Sequence, residues 1–172
     1  MNIKEFTIVV VNHEYCDYLR KFDNRVSYNS GVKELRPFVG VLFKIDNMEY
    51  YAPLSSPKPK HVGLHSNVDL IKIKDGLLGV INLNNMIPVT KNNYVLFDMD
   101  KRNKSLEEIK RIALIRKQLN WLNSKADVIM EKAFTLHFRY CENILPERIK
   151  SRCCNFPLLE EKCKEYNMEE KQ

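Results

Sequence analysis

The rhythm of hydrophobic and polar positions changes near residue 100. Before it, apolar residues come in short runs of strand length. Thr7–Val11 is rich in β-branched side chains and reads as a first strand. Residues 38–45 (Phe-Val-Gly-Val-Leu-Phe-Lys-Ile) form a longer run that suits a central strand covered on both faces. Asp46 and Asn47 make a turn, and residues 49–54 return as the second arm of a hairpin. Residues 68–73 alternate, residues 77–83 supply another strand, and residues 86–89 a short one that Pro88 places at an edge or an end. One short helix interrupts this half over residues 14–22, where Tyr15, Tyr18, Leu19 and Phe22 share a face. Residues 24–35 read as a loop.

Beyond residue 105 the period becomes helical. Ser105-Leu106-Glu107-Glu108 is a capping box, in which serine and glutamate each satisfy a backbone donor of the first turn. Leu106, Ile109, Ile112, Ala113, Leu119 and Leu122 form an apolar stripe behind it, flanked by Trp121. A second helix spans residues 124–141, with Ala126, Ile129, Met130, Ala133 and Phe134 available for packing. A third covers residues 157–166 and opens on Pro157, at a position that costs no intrahelical hydrogen bond. The pattern predicts an α+β fold. A compact, strongly bent sheet or small barrel occupies about residues 1–100 and helices about 105–168. With no repeat and no Gly/Ser linker, residues 1–172 read as one domain.

Composition changes this picture in one respect. Twenty-eight Lys and Arg against 22 Asp and Glu leave a net charge of +6. Such an excess suits a polyanionic partner, nucleic acid first, or else a generally solvated basic surface. No apolar run reaches the ~18 residues of a membrane helix. The N-terminus lacks the basic region and cleavage site of a signal peptide. Five cysteines, Cys16, Cys141, Cys153, Cys154 and Cys163, are odd in number and irregular in spacing, which points to a reducing, cytoplasmic setting. Neither they nor the four histidines carry metal-ligand spacing, so no metal and no cofactor is expected. Phosphate-binding glycine motifs are missing.

The chemically distinctive segment is Ala52-Pro53-Leu54-Ser55-Ser56-Pro57-Lys58. Two hydroxyls follow a strand end. Pro57 and Pro59 stiffen the exit, and Lys58, Lys60 and His61 add charge and a titratable ring. From spacing alone, a plain basic surface loop fits these residues at least as well as a site.

Four blocks resemble the ToxN/AbiQ family of toxin ribonucleases from type III toxin–antitoxin systems. They are residues 36–41 (Arg-Pro-Phe-Val-Gly-Val), residues 51–58 (Tyr-Ala-Pro-Leu-Ser-Ser-Pro-Lys), residues 78–88 (Leu-Gly-Val-Ile-Asn-Leu-Asn-Asn-Met-Ile-Pro) and residues 154–162 (Cys-Asn-Phe-Pro-Leu-Leu-Glu-Glu-Lys). The resemblance implies a bent antiparallel SH3-like barrel core of the Kid/MazF kind with added helices. It implies metal-independent cleavage of RNA at adenine-rich sites, by attack of the 2′-OH to leave a 2′,3′-cyclic phosphate and a 5′-OH. It further implies inhibition by a small pseudoknot RNA that the toxin cuts from its own precursor, a closed protein–RNA assembly, and abortive-infection defence against phage.

By position, the family's hydroxyl-hydroxyl-Pro-Lys motif falls on Ser55, Ser56, Pro57 and Lys58, its helix tyrosine on Tyr15, and its loop aromatic on Tyr28. Lys58 suits the phosphoryl charge, because an ordinary lysine is a poor base near neutrality. Ser55 and Ser56 suit donation or proton relay, and His61 is the nearby group that titrates near neutrality. Lys33, Arg36, Tyr51, Lys60, Lys110, Arg111, Arg116 and Lys117 are the expected RNA contacts, with simple solvation the plainer account of the helix charges. Two other readings fit less of the chain. One is a MazF/Kid-like ribonuclease with a protein antitoxin, and the other a non-catalytic RNA-binding regulator.

Overall fold

The computed structural model describes residues 5–28 and 36–172. Strand β1 (Thr7–Val11) leads into helix α1 (His13–Arg20), which Asn12 caps by accepting from the Glu14 amide. Then come β2 (Phe38–Gly40), β3 (Lys44–Ile45), β4 (Met48–Ser55) and a short helix α2 (Pro59–Gly63). Strands β5 (Leu70–Lys72), β6 (Val80–Asn82), β7 (Ile87–Val89) and β8 (Tyr94–Leu96) complete the first part. Helices α3 (Leu106–Ser124), α4 (Ala126–Cys141), α5 (Glu147–Lys150) and α6 (Phe156–Glu169) follow.

All pairings are antiparallel, and the sheet is an open path, β5-β6-β4-β2-β1-β8, with β3 and β7 also paired to β4. Strand β4 is its spine. Glu49 lies opposite both Lys44 and Val89, Ala52 opposite Val39, and Ser55 opposite Val80. Met48 through Leu54 are all buried, and Ser55, its last residue, is half-exposed. The strand therefore runs from the core to the surface and delivers Ser55 there. The core includes residues from Phe6 to Cys163 in one cluster.

The α+β division near residue 100 is as the periodicity predicts. Three details differ. The run 38–45 is broken into β2 and β3. The expected strand over 77–83 shortens to β6, because a tight turn over 73–79 precedes it with Lys74, Asp75, Gly76 and Gly79 all at positive φ. Leu106 and Phe134, expected to pack, are 67% and 53% exposed, and Ile115 and the polar Gln118 fill the α3 face instead.

Helix α6 is tied to the sheet by polar bonds as well as packing. Tyr50 donates to Glu160 Oε1 at 2.6 Å, and His137 Nε2 lies 2.6 Å from the same oxygen. Burial pushes the Glu160 carboxyl up, but the bonds from His137 and Tyr50 outweigh it and hold it below the usual carboxylate range. All five thiols are free, four of them buried. No helix among the described residues is long and apolar enough to cross a membrane.

Candidate nucleic-acid site

Strand β4 ends where it does because Pro57 cannot donate to a sheet ladder. Lys58 is extended (φ −133°, ψ 150°), as a residue before proline should be, and Pro59 then opens α2. Around this corner lies an open groove of about 300 Å³, lined by Arg36, Pro37, Leu54, Ser55, Ser56, Lys58 and Arg111. Four segments meet there: the entry to β2, the end of β4, the link to α2, and the second turn of α3. Every ionisable side chain among those lining residues is a cation. Burial lowers the pKa of Arg36 and of Arg111 from the ordinary guanidinium value, yet each stays protonated. Partly desolvated cations of this kind attract an anion more strongly than fully hydrated ones.

The corner is held from behind. Asn82 Nδ2 donates to Ser55 Oγ at 2.9 Å, so the serine proton remains free to donate into the groove. Gln118 of α3 is buried and donates to the Leu78 carbonyl at 2.8 Å, which fixes α3, and with it Arg111, against the β5–β6 turn. That turn lies behind the site, against the backbone of Ser55 and His61. A Cβ on Gly76 would come 2.6 Å from the His61 carbonyl oxygen, and one on Gly79 would come 1.9 Å from that of Ser55. Asn82, Gly76, Gly79 and Gln118 were given no role by sequence reasoning. The block over residues 78–88 contains two of them, and it was the available signal.

The structure gathers Ser55, Ser56, Lys58, Arg36 and Arg111 and corrects three other expectations. Tyr15 cannot reach substrate. It is fully buried, donates to the Pro88 carbonyl at 2.6 Å and packs edge-on against Tyr166. Burial raises its pKa well above the usual tyrosine value. Tyr51 is likewise 1% exposed, with its hydroxyl on Glu49 at 3.0 Å, so it cannot stack on RNA. His61, offered as a possible acid or base, is 3% exposed, and its Nδ1 accepts the Lys58 backbone N–H at 3.1 Å. It props the loop from beneath. Of the remaining expected contacts, Lys60, Lys110, Arg116 and Lys117 are exposed but do not line the groove. Tyr28 is exposed beneath the Arg20 guanidinium. Lys33 lies outside the described residues.

The His61 contact makes loop order depend on pH. Burial first, then the charges of Lys58 and Lys60, lowers the His61 pKa below its ordinary 6.5. The neutral ring accepts from Lys58 N–H, whereas a proton on Nδ1 would set donor against donor. A depressed folded-state pKa gives stability that is full above the unfolded value and lost as pH falls through the folded one. Whatever the loop does should therefore fade on the acid side of about pH 6.5. His61→Asn, whose Oδ1 can accept the same bond without titrating, should flatten that acid limb. A rate profile over about pH 5–8 with the same limb in both proteins would refute this.

Two hydroxyls and three cations thus converge on one strand end, an arrangement that can bind a phosphate group. A model of the family described as Toxin ToxN, type III toxin–antitoxin system, matches residues 7–164. The chain belongs to that family. It is 32% identical over 160 residues to the endoribonuclease ToxN of Bacillus thuringiensis subsp. kurstaki, covering 91% of this chain and 81% of that protein. It is 30% identical to the endoribonuclease ToxN of Pectobacterium atrosepticum, covering 92% of each. A solved structure concerned with selective toxin inhibition by a non-coding RNA pseudoknot superposes with a TM-score of 0.78 at 30% identity, over 95% of this chain and 99% of that one. The structure of AbiQ, a lactococcal anti-phage endoribonuclease, superposes with a TM-score of 0.82 at 23% identity over 96% and 99%, and so shares the fold.

Proposed function

We propose that this chain is a sequence-selective, metal-independent endoribonuclease toxin whose active centre is the groove at Ser55–Lys58. The observation that carries the reading is the convergence of Ser55, Ser56, Lys58, Arg36 and Arg111 on one cleft. In the reaction, the 2′-OH loses its proton and its oxygen bonds to phosphorus. The bond to the 5′-oxygen breaks, and that oxygen takes a proton. Charge grows on the phosphoryl oxygens as phosphorus gains its fifth partner. Lys58 meets that charge as a compact triple donor, and the serine hydroxyls donate to the same oxygens. Arg36 and Arg111 hold the flanking strand as guanidinium–phosphate pairs.

Lys60, Lys110, Arg116, Lys117 and Tyr28 extend this surface along the bound RNA, and Lys33 is a further expected RNA contact. Residues 1–172 form one domain, whose β-rich core over about residues 1–100 is of the SH3-like Kid/MazF kind. Supporting that, β4 pairs with four strands along its length, β3 and β7 first, then β2, then β6, as the spine of a strongly bent sheet does. The inhibitor is a small pseudoknot RNA in a closed assembly with the toxin, and release of the toxin during infection arrests growth. The support is the family itself and its solved relative inhibited by an RNA pseudoknot.

The test is cleavage of a defined RNA by the purified protein in EDTA, with the product ends determined. Cleavage should persist and leave 2′,3′-cyclic phosphate and 5′-OH ends. Ends bearing a 5′-phosphate, or loss of cutting in EDTA, would overturn the mechanism. Tight, salt-sensitive binding without cutting would establish the regulator instead.

A further inference from the structure

Beside the groove lies a second, smaller cavity of about 170 Å³. Val10 of β1, Phe97 just after β8, and Ile112 of α3 form its apolar wall, and Asp98, Lys104 and Glu108 its polar rim. Arg111 lines both cavities, with its guanidinium 5.7 Å from the centre of the Phe97 ring. The two cavities are neighbours that share Arg111 as a lining residue.

The cavity is below the roughly 300–1,000 Å³ usual for drug-sized ligands. An aromatic ring, a guanidinium plane and hydrogen-bond acceptors on a rim are the means by which proteins hold one unpaired base. Continuity through Arg111 ties the occupant to whatever phosphate the groove holds. Resting on the reading that the groove takes an RNA phosphodiester, we propose that this cavity binds the base of a nucleotide flanking the cut bond, and that Glu108 selects a base with an exocyclic amino group over uracil.

The choice of Glu108 follows from how the rim is already bonded. Asp98 Oδ1 accepts from the Asp100 amide at 2.9 Å, and Oδ2 pairs with Lys104 at 3.0 Å. Glu108 spends Oε2 on the Ser105 amide at 2.7 Å, closing the α3 cap. Its other oxygen is the acceptor left for an occupant. A carboxylate oxygen takes a hydrogen bond from the amino group of adenine, cytosine or guanine, whereas uracil offers only its N3–H, flanked by two carbonyl oxygens. Those carbonyls set acceptor beside acceptor against the carboxylate, which disfavours uracil relative to the amino-bearing bases.

Short RNAs with one cut site, and with uracil placed in turn at each position flanking it, test this. In the wild-type protein one flanking position should show at least a tenfold lower rate with uracil than with the best amino-bearing base. Glu108→Gln keeps an oxygen for the Ser105 cap and turns an amide donor to the occupant. It should shrink that ratio at least fivefold, at that position alone. Phe97→Ala, which removes the stacking face, should shrink it too. The ratio is internal to each protein, so a general loss of fold cancels. For a variant that no longer cuts, the same ratio is read by competition binding of oligonucleotides carrying a 2′-deoxy sugar at the cut position. An unchanged ratio in Glu108→Gln, or no flanking preference in the wild type, would overturn the subsite while leaving the groove intact. Failure of the wild-type protein to cut any RNA would instead overturn the reading of the groove on which the subsite rests.

Discussion

Lys58→Ala should abolish most RNA cleavage, by at least about 10²–10³-fold, and leave the fold standing. The side chain of Lys58 is exposed at the groove, and its structural bonds are all backbone bonds. Its N–H donates to His61 Nδ1 at 3.1 Å, and its carbonyl accepts from the His61 amide at 2.9 Å. Alanine keeps both and can hold the extended conformation that Pro59 requires. What disappears is one ammonium lining the groove, the group proposed to meet the developing phosphoryl charge. Exposed substitutions of this sort usually change stability by no more than about 0.5 kcal/mol, or about 1–2 °C for a chain of this length. Lys58→Arg restores the charge as a planar fork on a different stem, so it should recover only part of the rate. Cleavage rates beside thermal midpoints check this. Full activity in a stable Lys58→Ala protein would remove Lys58 from the mechanism, and a midpoint lower by ~10 °C would mean that its role is structural.

What could be read from the sequence, and what could not, follows from the range of the forces involved. The Ser55–Lys58 corner was legible because two prolines set its backbone locally, and the α3 cap because Ser105 and Glu108 recognise each other across a single turn. The tyrosines were not. Tyr15 and Tyr51 are a stacking platform or a core filler according to their partners, and Tyr15 finds its partner 73 residues away at Pro88. The polar Gln118 interrupts the apolar stripe expected along α3, and its burial makes sense only once the Leu78 carbonyl is brought beneath it. Leu106 fits the helical period but lies in the first turn, where it is 67% exposed. Arg111 looked like one of several helix charges. Its rotation about the helix, one step from the exposed Lys110, is what turns it into the groove. The resemblance pointed to the corner, and the tertiary fold is what brings Arg36 and Arg111 beside it.

Gly79→Ala should damage stability and activity together, because the glycine lies against the backbone of Ser55, the first hydroxyl of the proposed site. Gly79 has φ +101°, a region that side-chain-bearing residues rarely enter, and its added Cβ would come 1.9 Å from the Ser55 carbonyl oxygen, 3.1 Å from its carbon and 3.2 Å from that of Ser56. None of these atoms is a flexible side-chain end, so the backbone must move. The movement falls on the pairing of Ser55 with Val80 and on the Asn82–Ser55 bond. Backbone strain of about 1–3 kcal/mol with overpacking of about 1–3 kcal/mol gives a loss near 4 kcal/mol, a fall of roughly 8–16 °C. A displacement near 1 Å can cost about 10²-fold in rate. Asn82→Ala separates the two effects. It releases the Ser55 hydroxyl without touching the backbone, so the rate should fall while stability drops by only about 1–2 kcal/mol, a midpoint shift of roughly 2–8 °C. Thermal midpoints and cleavage rates of both variants decide the matter. A Gly79→Ala protein of normal stability and rate would mean that the β5–β6 turn does not brace the site.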